Sequence, residues 1–571
     1  MAHWNYSPPS TDLSNQYLKA LKVGPTVAEL LARLDFADTE EASRFLNPRL
    51  GEIDCPFGIS NLESAARRIS QAIENRQRIV ICGDYDVDGV TSTALLVAIL
   101  QKFETYPAYI VPLRLEEGYG LSQKAVERAL DKANQPDLFI ALDCGTNSID
   151  EVQHILDAGC DVVVVDHHQS KEGLPEGAIL VNPHVNDRDS ANHCQFCTVG
   201  LVFKLAHGLL KIRREKDDPR AFEIKLRNFL DLVSMGTVAD MVPLNKENRT
   251  FARIGLQVLS RTERIGLQNL MKVSGVAAKH GVNPIDVSFR LGPRINASGR
   301  LADASVAVEL ILSDDPSFCL ETSLKLDSFN RERQEIERAM TENALEQIKN
   351  SDTERNGLVV YGDDWHPGVV GIVASRVSRS FNRPAIVLGR EGDLAKGSGR
   401  SIDGIDLVEV LAPFSEKLES WGGHPMAVGV SMKVERVEEF TEFFDKAIGE
   451  YLASHQVERT LEIASWLRLE DIDTKLMKDL SMLEPFGQAN PEPILAARRI
   501  LFGTKLTVFK DLHFRFTLTT RRKHVISGVA WKMAERIPPA NTPVDIAFRL
   551  VWNTFGNKKA LQLELVDWRE S

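Results

Sequence analysis

The sequence predicts an α/β protein in which a parallel-sheet domain is joined by long helices to a smaller α/β domain, followed by a small β-barrel. Three observations support this prediction. Continuous apolar strands alternate with helical segments from residue 78 onward, a pattern typical of parallel sheets with helices on both faces. Long, charged helical patterns follow at 303–349. The C-terminal segment carries short strands separated by turn signals, which favours a small barrel.

Length and composition indicate a soluble protein with several domains. The chain has 571 residues, too many for one ordinary core, and its 43% hydrophobic and 26% charged content is that of a globular protein. The N-terminal residues lack the apolar segment of a secretory signal, and the apolar run at 94–100 is too short to span a membrane. Seven dispersed cysteines indicate a reduced, cytoplasmic protein.

One cluster of possible metal ligands has zinc-like spacing. It consists of His193, Cys194 and Cys197. A structural zinc site normally needs a second ligand pair, and none follows at a suitable distance. Free thiols in a loop are therefore the favoured interpretation.

Changes in residue pattern divide the chain into five segments. Helices and loops punctuated by prolines cover residues 1–60, and the first strand–helix alternation covers 61–302. Connecting long helices cover 303–349, and a second α/β unit covers 350–454. The strand-rich segment at 455–571 completes the chain.

Three of the predicted strands end in acidic or imidazole side chains. These residues are Asp84 and Asp86 in GDYDVDG, Asp143 in LDCGTN, and His167 and His168 in VVVVDHHQS. Because ligands bind outside the carboxyl ends of strands in an open parallel sheet, we expect these side chains to meet at one edge. A calcium-binding helix–loop–helix is excluded because the closing glutamate and the preceding helix are missing.

This concentration of carboxylates predicts a metal centre. So many neighbouring negative charges would repel one another without a cation. Carboxylate and imidazole ligands suit Mn²⁺ or Mg²⁺, and Asp240, which follows a helix in an apolar setting, is a further candidate ligand. Such a set exceeds one ordinary site and fits two ions bridged by a shared carboxylate.

The motifs around these residues resemble those of the DHH/DHHA1 phosphoesterase superfamily. The resemblance is carried by GDYDVDG, LDCGTN, DHH, GTVADMVPL and GGH. Further motifs make the chain similar, within that superfamily, to the RecJ family of bacterial single-strand-specific exonucleases. They are LGPRINASGR, NRERQ, WHPGVVGIVASR, KGSGRS and EPFGQANPEP, and the whole set covers roughly residues 60–568 in the expected order.

The resemblance implies a metal-dependent exonuclease that degrades single-stranded DNA to mononucleotides in the 5′→3′ direction, in DNA repair and recombination. It implies two Mn²⁺ or Mg²⁺ ions held by Asp84, Asp86, Asp143, His167 and Asp240. His168 would act catalytically beside the centre, with Asp166 fixing an imidazole and Asp88 in a supporting role. The chain departs from some relatives at Cys82, where they have a histidine, so a packing cysteine is favoured over a sixth ligand.

The resemblance also implies substrate-binding residues outside the metal centre. They lie in a segment near the 5′ end, in a glycine-rich phosphate loop, in two motifs of the second α/β unit and in the C-terminal segment. The predicted contacts are Arg114, Tyr119, Arg294, Asn296, Arg300, Ser398, Arg400, Ser401, Gly423, His424, Lys505, His513 and Arg515. For Arg114, an ion pair with Glu116 or Glu117 is the alternative.

The C-terminal segment combines a strand pattern with a local basic patch. The net charge of the chain is −12, yet Asp511 is the only acid between Arg498 and His524. Phosphate contacts require only such a local basic surface. The segment resembles an OB-fold, which binds single strands through basic and aromatic side chains. We expect Phe514 and Phe516 to alternate into its core.

Two other functions remain open at the level of the sequence. One is a phosphodiesterase of the same superfamily that acts on short oligonucleotides or cyclic dinucleotides, although such relatives are generally shorter and lack the OB-like segment. The other is a non-catalytic DNA-binding scaffold, which the complete set of acids and histidines disfavours. The resemblance further implies a monomer that cooperates with a single-strand-binding protein and a helicase.

Overall fold

The computed structural model describes residues 3–34, 36–114, 116–118, 120–170, 173–187, 195–351, 354–455, 460–503, 506–520, 524–553 and 559–571. They form four sheets with helices packed around them, and the predicted α/β class is confirmed. Tyr119, Lys505, His193 and Cys194 lie outside the described residues. Among the helices that are described, none is both long and apolar enough to cross a membrane.

The N-terminal residues form a short strand and three helices. These are β1 (His3–Asn5), α1 (Thr11–Leu21), α2 (Pro25–Leu31) and α3 (Thr39–Leu46). Their apolar residues share one core with the C-terminal strands, and β1 pairs in parallel with a strand at Thr460–Glu462. The short amphipathic helices thus bury their apolar faces against a distant part of the chain, a connection that the sequence pattern did not indicate.

A five-stranded, fully parallel sheet follows in the spatial order β3-β2-β4-β5-β6. Its elements are α4 (Leu62–Glu74), β2 (Ile79–Gly83), α5 (Val87–Gln101), β3 (Ala108–Ile110), α6 (Gln123–Ala133), β4 (Leu138–Leu142), α7 (Ile149–Asp157), β5 (Asp161–Val165) and β6 (Ile179–Val181). In β5, Val163 and Val165 face one hydrophobic core while Val162 and Val164 face the other. The run of valines exists because both faces of this strand are covered by helices.

A helical region connects this sheet to the second α/β domain. Its helices are α8 (Pro183–Asn186), α9 (Thr198–Glu215), α10 (Pro219–Glu223), α11 (Leu230–Ala239), α12 (Lys246–Leu259), α13 (Ile265–Val273), α14 (Pro284–Asp286), α15 (Gly292–Leu301), α16 (Ser305–Leu312) and α17 (Pro316–Asn350). Asp315 caps α17 and Pro316 occupies its first turn, a favourable start for a helix. At 35 residues, α17 accounts for most of the long helical pattern predicted between the two domains.

The second α/β domain contains a mixed sheet in the order β10-β11-β9-β8-β7. Its elements are β7 (Leu358–Gly362), α18 (Val370–Phe381), β8 (Ala385–Glu391), β9 (Leu394–Arg400), α19 (Leu407–Leu411), β10 (Ser420–His424), β11 (Ala427–Lys433) and α20 (Val437–Ser454). Only β7 and β8 run parallel; the remaining pairs are antiparallel.

The C-terminal domain is a seven-stranded OB-like sheet in the order β13-β14-β18-β19-β17-β16-β15. Its elements are β12 (Thr460–Glu462), β13 (Ser465–Leu467), α21 (Thr474–Leu480), β14 (Leu495–Leu501), β15 (Thr507–Phe509), β16 (His513–Thr519), β17 (Val525–Ala530), β18 (Pro543–Asn553) and β19 (Ala560–Glu570). Within the described residues the edge strands β13 and β15 do not pair, so the barrel is open. Phe514 and Phe516 are buried in its core, as expected.

Candidate active site

Three neighbouring strands bring acidic and imidazole side chains to one edge of the parallel sheet. Asp84 directly follows β2, Asp143 directly follows β4, and His167 lies two residues after the end of β5. Backbone hydrogen bonds continue past the strand ends, since the amide of Asp84 donates to the carbonyl of Leu142 (3.2 Å) and that of Asp143 to the carbonyl of Val165 (3.0 Å). The functional side chains therefore start from a rigid backbone, at the edge that the sequence predicted.

Asp143 has a backbone conformation that is uncommon for a residue other than glycine. Its φ angle is 63°, in the left-handed region. Such conformations persist where the surroundings hold a side chain in a required direction. Here Oδ1 of Asp143 accepts a hydrogen bond of 2.9 Å from Oγ1 of Thr198 and lies 3.4 Å from Nε2 of His167.

His167 lies at the meeting point of several carboxylates. Its Nε2 is 3.4 Å from Asp143, 3.6 Å from Asp240 and 3.9 Å from Asp88. Asp240 reaches this point because it is the first residue after α11. The arrangement brings a helix end and the sheet edge together around one imidazole.

The described residues contain three overlapping groups whose ligand atoms could hold a cation. Within each group these atoms lie within 4.8 Å of one another. The groups are Asp84, Asp86 and Asp143; Asp88, His167 and Asp240; and Asp143, His167 and His168. Asp143 and His167 each belong to two of these groups, so the three groups form one continuous cluster.

Asp88 belongs to one of these groups, but its carboxylate is already engaged. Its two oxygens accept hydrogen bonds from the backbone amides of Thr198 (2.6 Å) and Val199 (2.8 Å). These are the first residues of α9, so the carboxylate lies at the positive end of a helix. The supporting role expected of Asp88 stays a prediction.

Asp86 and Asp84 present oxygens that the other described residues do not satisfy fully. Oδ1 of Asp86 caps α5 by accepting from the amides of Asp88 (2.9 Å) and Gly89 (3.1 Å). Oδ1 of Asp84 is buried without a hydrogen-bond partner among the described residues. An unpaired buried carboxylate oxygen is costly, and a bound cation would satisfy it. The donor set of carboxylates and imidazole therefore fits Mn²⁺ or Mg²⁺.

The pKa values of the cluster show an excess of negative charge. Burial, reinforced by repulsion from Asp143, raises the pKa of Asp86 to about 7, and burial raises that of Asp240 to about 6. Burial and repulsion from Asp86 also raise the pKa of Asp84 well above its ordinary value. For Asp143, burial opposes ionisation, but contact with His167 outweighs it and lowers the pKa. A divalent cation would relieve the remaining repulsion.

A different carboxylate holds the second histidine. Oδ1 of Asp166 accepts hydrogen bonds from Nδ1 of His168 (2.7 Å) and from the backbone amides of His167 (2.8 Å) and His168 (3.2 Å). Its Oδ2 accepts from the amide of Thr146 at 3.0 Å. Burial disfavours a charged imidazole, yet the bond to Asp166 raises the pKa of His168 to about 9. Asp166 therefore holds the ring and the backbone of His168, and the different roles expected of the two histidines stay a prediction.

Arg114 contacts an aromatic residue next to the acidic cluster. Its Nη1 donates a 2.7 Å hydrogen bond to the hydroxyl of Tyr85, and its guanidinium carbon lies 5.0 Å from the centre of that ring. Among the described residues, neither Glu116 nor Glu117 forms the alternative ion pair with Arg114, and Glu117 pairs instead with Arg128 at 2.6 Å. Arg114 is therefore held over a residue that directly follows Asp84.

The expected glycine-rich phosphate loop at 292–300 is wrong, because this segment is the helix α15. Its glycine at 299 permits close packing: a Cβ there would lie 2.5 Å from the ring of Tyr85. On α15, Arg294 forms an ion pair of 2.7 Å with Asp327, and Arg300 donates to the carbonyl of Gly368. Oδ1 of Asn296 is buried without a partner among the described residues.

The second α/β domain contributes a partly buried arginine. Nη1 of Arg400, on β9, donates to Oγ of Ser398 (2.6 Å) and to the carbonyl of Gly399 (2.7 Å). Burial lowers the pKa of Arg400. No carboxylate of the described residues forms an ion pair with it, so its positive charge is available to an anion.

The other predicted residues of this domain lie at strand ends, with Ser401 directly after β9 and Gly423 and His424 at the end of β10. Oγ of Ser401 donates to the carbonyl of Ile405 at 2.7 Å, which fixes the turn after β9. Gly423 has a φ angle of 149°, and a Cβ there would lie 2.3 Å from the carbonyl oxygen of Ala427. Only glycine fits this tight hairpin, and His424 is exposed beside it.

The C-terminal domain exposes an aromatic cluster that the sequence reasoning missed in part. The ring of His513 lies 5.2 Å from that of Phe509 and 5.0 Å from that of Trp531, and the guanidinium of Arg515 lies 4.7 Å from Phe509. Trp531 is 49% exposed. The sequence pattern offers little indication of this cluster, because Trp531 follows β17 whereas His513 and Arg515 lie on β16.

Comparisons with protein families match all three domains. Residues 78–237 match the DHH family N-terminal domain, 354–450 match the DHHA1 domain, and 463–567 match the RecJ OB domain. The matched ranges fall within the first sheet and its helices, the mixed sheet and the open barrel, respectively.

Curated relatives match over nearly the whole chain. The single-stranded-DNA-specific exonuclease RecJ of Bacillus subtilis is 34% identical over 99% of this chain and 70% of its own length. The protein of the same name from Dickeya dadantii is 36% identical, over 88% of this chain and 90% of its own.

Solved structures give the same result. The chain is similar to the crystal structure of RecJ in complex with Mn²⁺ from Thermus thermophilus, with a TM-score of 0.82 and 27% identity over 100% of this chain and 80% of that one. It is also similar to a crystal structure of exonuclease RecJ bound to manganese, with a TM-score of 0.59 and 30% identity over 70% of this chain and 98% of the other.

Proposed function

Because the chain belongs to the RecJ family of single-stranded-DNA-specific exonucleases, we propose that it degrades single-stranded DNA to mononucleotides in the 5′→3′ direction. The observation that carries the proposal is the meeting of His167 with the carboxylates of Asp143 and Asp240 at the strand ends. This cluster supplies ligands for two Mn²⁺ or Mg²⁺ ions, and Asp84 and Asp86 complete the set.

The residues of the cluster divide the chemical work. When bound, the two ions supply activation of water and neutralisation of charge at the scissile phosphate. Asp143 belongs to two of the three ligand groups and would be a ligand common to both. His168, held by Asp166, points its remaining ring nitrogen away from that carboxylate and donates a hydrogen bond to a phosphate oxygen or a leaving oxygen.

Cationic side chains bind the 5′ end. Arg400 with Ser398, on the second α/β domain, and Arg114, beside the first sheet, contact the terminal phosphate. The lack of a carboxylate partner for Arg400 among the described residues supports this role, because partial burial already disfavours its charged form and a bound anion would compensate. Arg294, Asn296, Arg300, Ser401, Gly423 and His424 support this surface, and His513 and Arg515 contact the strand farther from the end.

An end-labelled nuclease assay tests the proposal. A single strand labelled at its 3′ end should lose nucleotides one at a time from the 5′ end, in the presence of Mn²⁺ and not in the presence of a chelator. Asp143→Asn is the matched inactive control. Shortening from the labelled end, or internal fragments from the start, would contradict the proposal.

Substrate length separates the alternatives. A phosphodiesterase for dinucleotides would cleave a dinucleotide faster than a long strand, and a scaffold would bind the strand without cleaving it. The OB-like domain favours the long strand.

The cellular setting follows from the proposed reaction. The protein acts in the cytoplasm as a monomer, together with a single-strand-binding protein that coats the substrate and a helicase that produces it. Co-purification of both from cell extract with the inactive Asp143→Asn variant, compared with extract treated with nuclease, tests these partners.

A further inference from the structure

We propose that a turn of the C-terminal domain, residues 483–490, positions the metal-ligand segment 240–244 and so sets the metal affinity of the active site. The inference rests on the proposed function, because it takes Asp240 as a metal ligand. It assigns the C-terminal domain a task besides holding DNA: Gly487 and Gln488 act on the catalytic domain as positioning residues.

The turn contacts the ligand segment directly. The backbone amide of Leu244 donates a 2.8 Å hydrogen bond to the carbonyl of Gln488. Gly487 lies against the same leucine, since a Cβ at this position would be 2.8 Å from Cδ1 and 3.4 Å from Cγ of Leu244. Leu244 is only 3% exposed, so the contact is part of a packed core.

The ligand segment is short and constrained between Asp240 and Leu244. Met241 has a φ angle of 59°, so the chain turns immediately after Asp240. The carbonyl of Pro243 accepts a hydrogen bond of 3.1 Å from Nδ2 of Asn248, which also donates to the carbonyl of Gln195 at 2.7 Å. A segment this short transmits a displacement of Leu244 to Asp240.

The turn is itself held in one shape by a buried asparagine. Nδ2 of Asn490 donates to the carbonyls of Leu483 (2.9 Å) and Pro485 (2.8 Å). Its backbone amide and carbonyl pair with Gly487 at 3.2 and 2.9 Å. Asn490 is 6% exposed, so water does not compete for these bonds. The turn therefore presents a rigid surface to Leu244.

A buried arginine anchors the start of the turn on α12. Arg249 is 1% exposed, and its guanidinium donates to the carbonyls of Phe45 (2.6 Å), Met482 (3.3 Å) and Glu484 (3.0 Å). Arg253, one turn farther along α12, donates to the same carbonyls of Met482 and Glu484. Two cations holding main-chain carbonyls fix both the N-terminal helices and the turn to the catalytic domain.

The anchor also reaches the helix that carries Asp240. α12 packs against α11 so closely that a Cβ at Gly255 would lie 2.3 Å from the carbonyl oxygen of Leu230. Asp240 is the residue that follows α11. The helix α12 therefore contacts α11, which precedes Asp240, and the turn 483–490 contacts the segment that follows Asp240.

The test is a substitution that displaces Leu244, combined with a second substitution that removes the resulting clash. Gly487→Val should displace Leu244 and weaken Mn²⁺ binding about tenfold, the size of effect seen when groups that orient metal ligands are lost. In the double variant Gly487→Val with Leu244→Ala, the leucine atoms that the valine side chain would meet are absent. The Mn²⁺ affinity of the double variant should therefore be close to that of the single variant Leu244→Ala. Gly503→Val, in the same domain and with no atom within 4 Å of its Cβ position, is the control.

Titration calorimetry with Mn²⁺ on the full chain gives the affinities, and thermal unfolding reports folding. Wild-type affinity in Gly487→Val, or a loss of affinity that Leu244→Ala does not reduce, overturns the proposal. If the turn had only a structural role, Gly487→Val would lower the unfolding temperature, and Leu244→Ala would not restore the Mn²⁺ affinity.

A second measurement needs no variant. Because linkage is reciprocal, Mn²⁺ should slow hydrogen exchange of backbone amides in both 240–244 and 483–490 of the wild-type protein. Protection of 240–244 alone would overturn the proposal. If the wild-type protein binds no Mn²⁺, the proposed function fails instead, so the two failures are distinguishable.

Discussion

Oδ1 of Asp166 accepts a 2.7 Å hydrogen bond from Nδ1 of His168, while Nε2 of the adjacent His167 faces Asp143 at 3.4 Å. The two neighbouring imidazoles are thus held by different carboxylates through different ring nitrogens. The side chain of His168 is 38% exposed and that of His167 is 15% exposed. His167 is enclosed among these carboxylates, and His168 is the more accessible of the two imidazoles.

The two histidines should respond differently to removal. His167→Ala should weaken Mn²⁺ binding by about 10–100-fold, and excess Mn²⁺ should partly restore cleavage. His168→Ala should lower kcat with Mn²⁺ affinity nearly intact, because its imidazole pairs with Asp166 whereas that of His167 faces the carboxylates of Asp143 and Asp240. Calorimetric titration of Mn²⁺ and steady-state kinetics on the same preparations measure both effects. Asp166→Asn is the matched control, which should resemble His168→Ala; equal losses of affinity in the two histidine variants would refute the division of roles.

Asp143→Ala should abolish cleavage while the protein remains folded. Its carboxylate is shared by two ligand groups, and loss of about 10³-fold in rate corresponds to roughly 4 kcal/mol of barrier. Release of mononucleotides from a labelled single strand measures the rate, and circular dichroism measures the fold. Activity above about a tenth of the wild type would contradict a shared position, since that corresponds to only about 1.4 kcal/mol.

Asp240 and Asp143 should have opposite effects on the stability of the metal-free protein. Burial raises the pKa of Asp240 to about 6, and its carboxylate lies at the negative end of α11. Its charge is therefore destabilising at neutral pH, and Asp240→Asn should stabilise the metal-free protein by on the order of 1–3 kcal/mol.

Asp143→Asn should instead destabilise the metal-free protein, because the pKa of Asp143 is lowered and its carboxylate contacts Thr198 and His167. Thermal unfolding in chelator compares the two variants. The advantage of Asp240→Asn should shrink as pH falls below about 6, where the wild-type carboxyl takes up a proton. If both variants changed the stability of the metal-free protein in the same direction at neutral pH, the opposite pKa shifts of Asp240 and Asp143 would be contradicted.

The exposed aromatic cluster should contribute to binding of long single strands. Trp531→Ala should weaken binding by about 1–3 kcal/mol, the range for one base stacked on an aromatic ring, without changing the salt dependence. Arg515→Gln should reduce the salt dependence, because one phosphate contact is lost. Fluorescence anisotropy at several salt concentrations measures both quantities. Tyr106→Ala removes an aromatic that is 75% exposed on the first α/β domain and is the control; an equal loss of affinity there would argue against a specific stacking surface.

His207 should make stability sensitive to mild acid. Burial, followed by repulsion from Lys204, lowers its pKa to about 4, from 6.5. The unfolded chain therefore takes up a proton before the folded protein does, and stability falls as pH decreases from about 6.5 towards 4. His207→Gln should reduce the drop in unfolding temperature over this range, and His280→Gln, at an exposed position, should not. Parallel curves for wild type and His207→Gln would contradict the prediction.

The sequence by itself determined the class of each domain and the edge on which the chemistry lies. Runs such as the four valines of β5 encode a strand covered on both faces, and a polar residue after such a run must lie at the sheet edge. The sequence pattern therefore places Asp84, Asp143 and His167 together, because the carboxyl ends of parallel strands share one edge. The position of Asp240 does not follow from the strand pattern, since only the packing of α11 brings this residue to the same point.

The tertiary structure alone decided which partner each side chain meets. Asp88 and Asp86 look equivalent in GDYDVDG, yet the N-terminus of α9 engages both oxygens of Asp88 and leaves Asp86 with one oxygen free of the α5 cap. The glycines of α15 suggested a loop because glycine favours turns, but Gly299 serves helix packing against Tyr85. Contacts such as Leu244 with Gln488 join positions far apart in the chain. Local patterns encode burial and backbone preference, whereas such pairings depend on how whole elements pack, which no short stretch of sequence specifies.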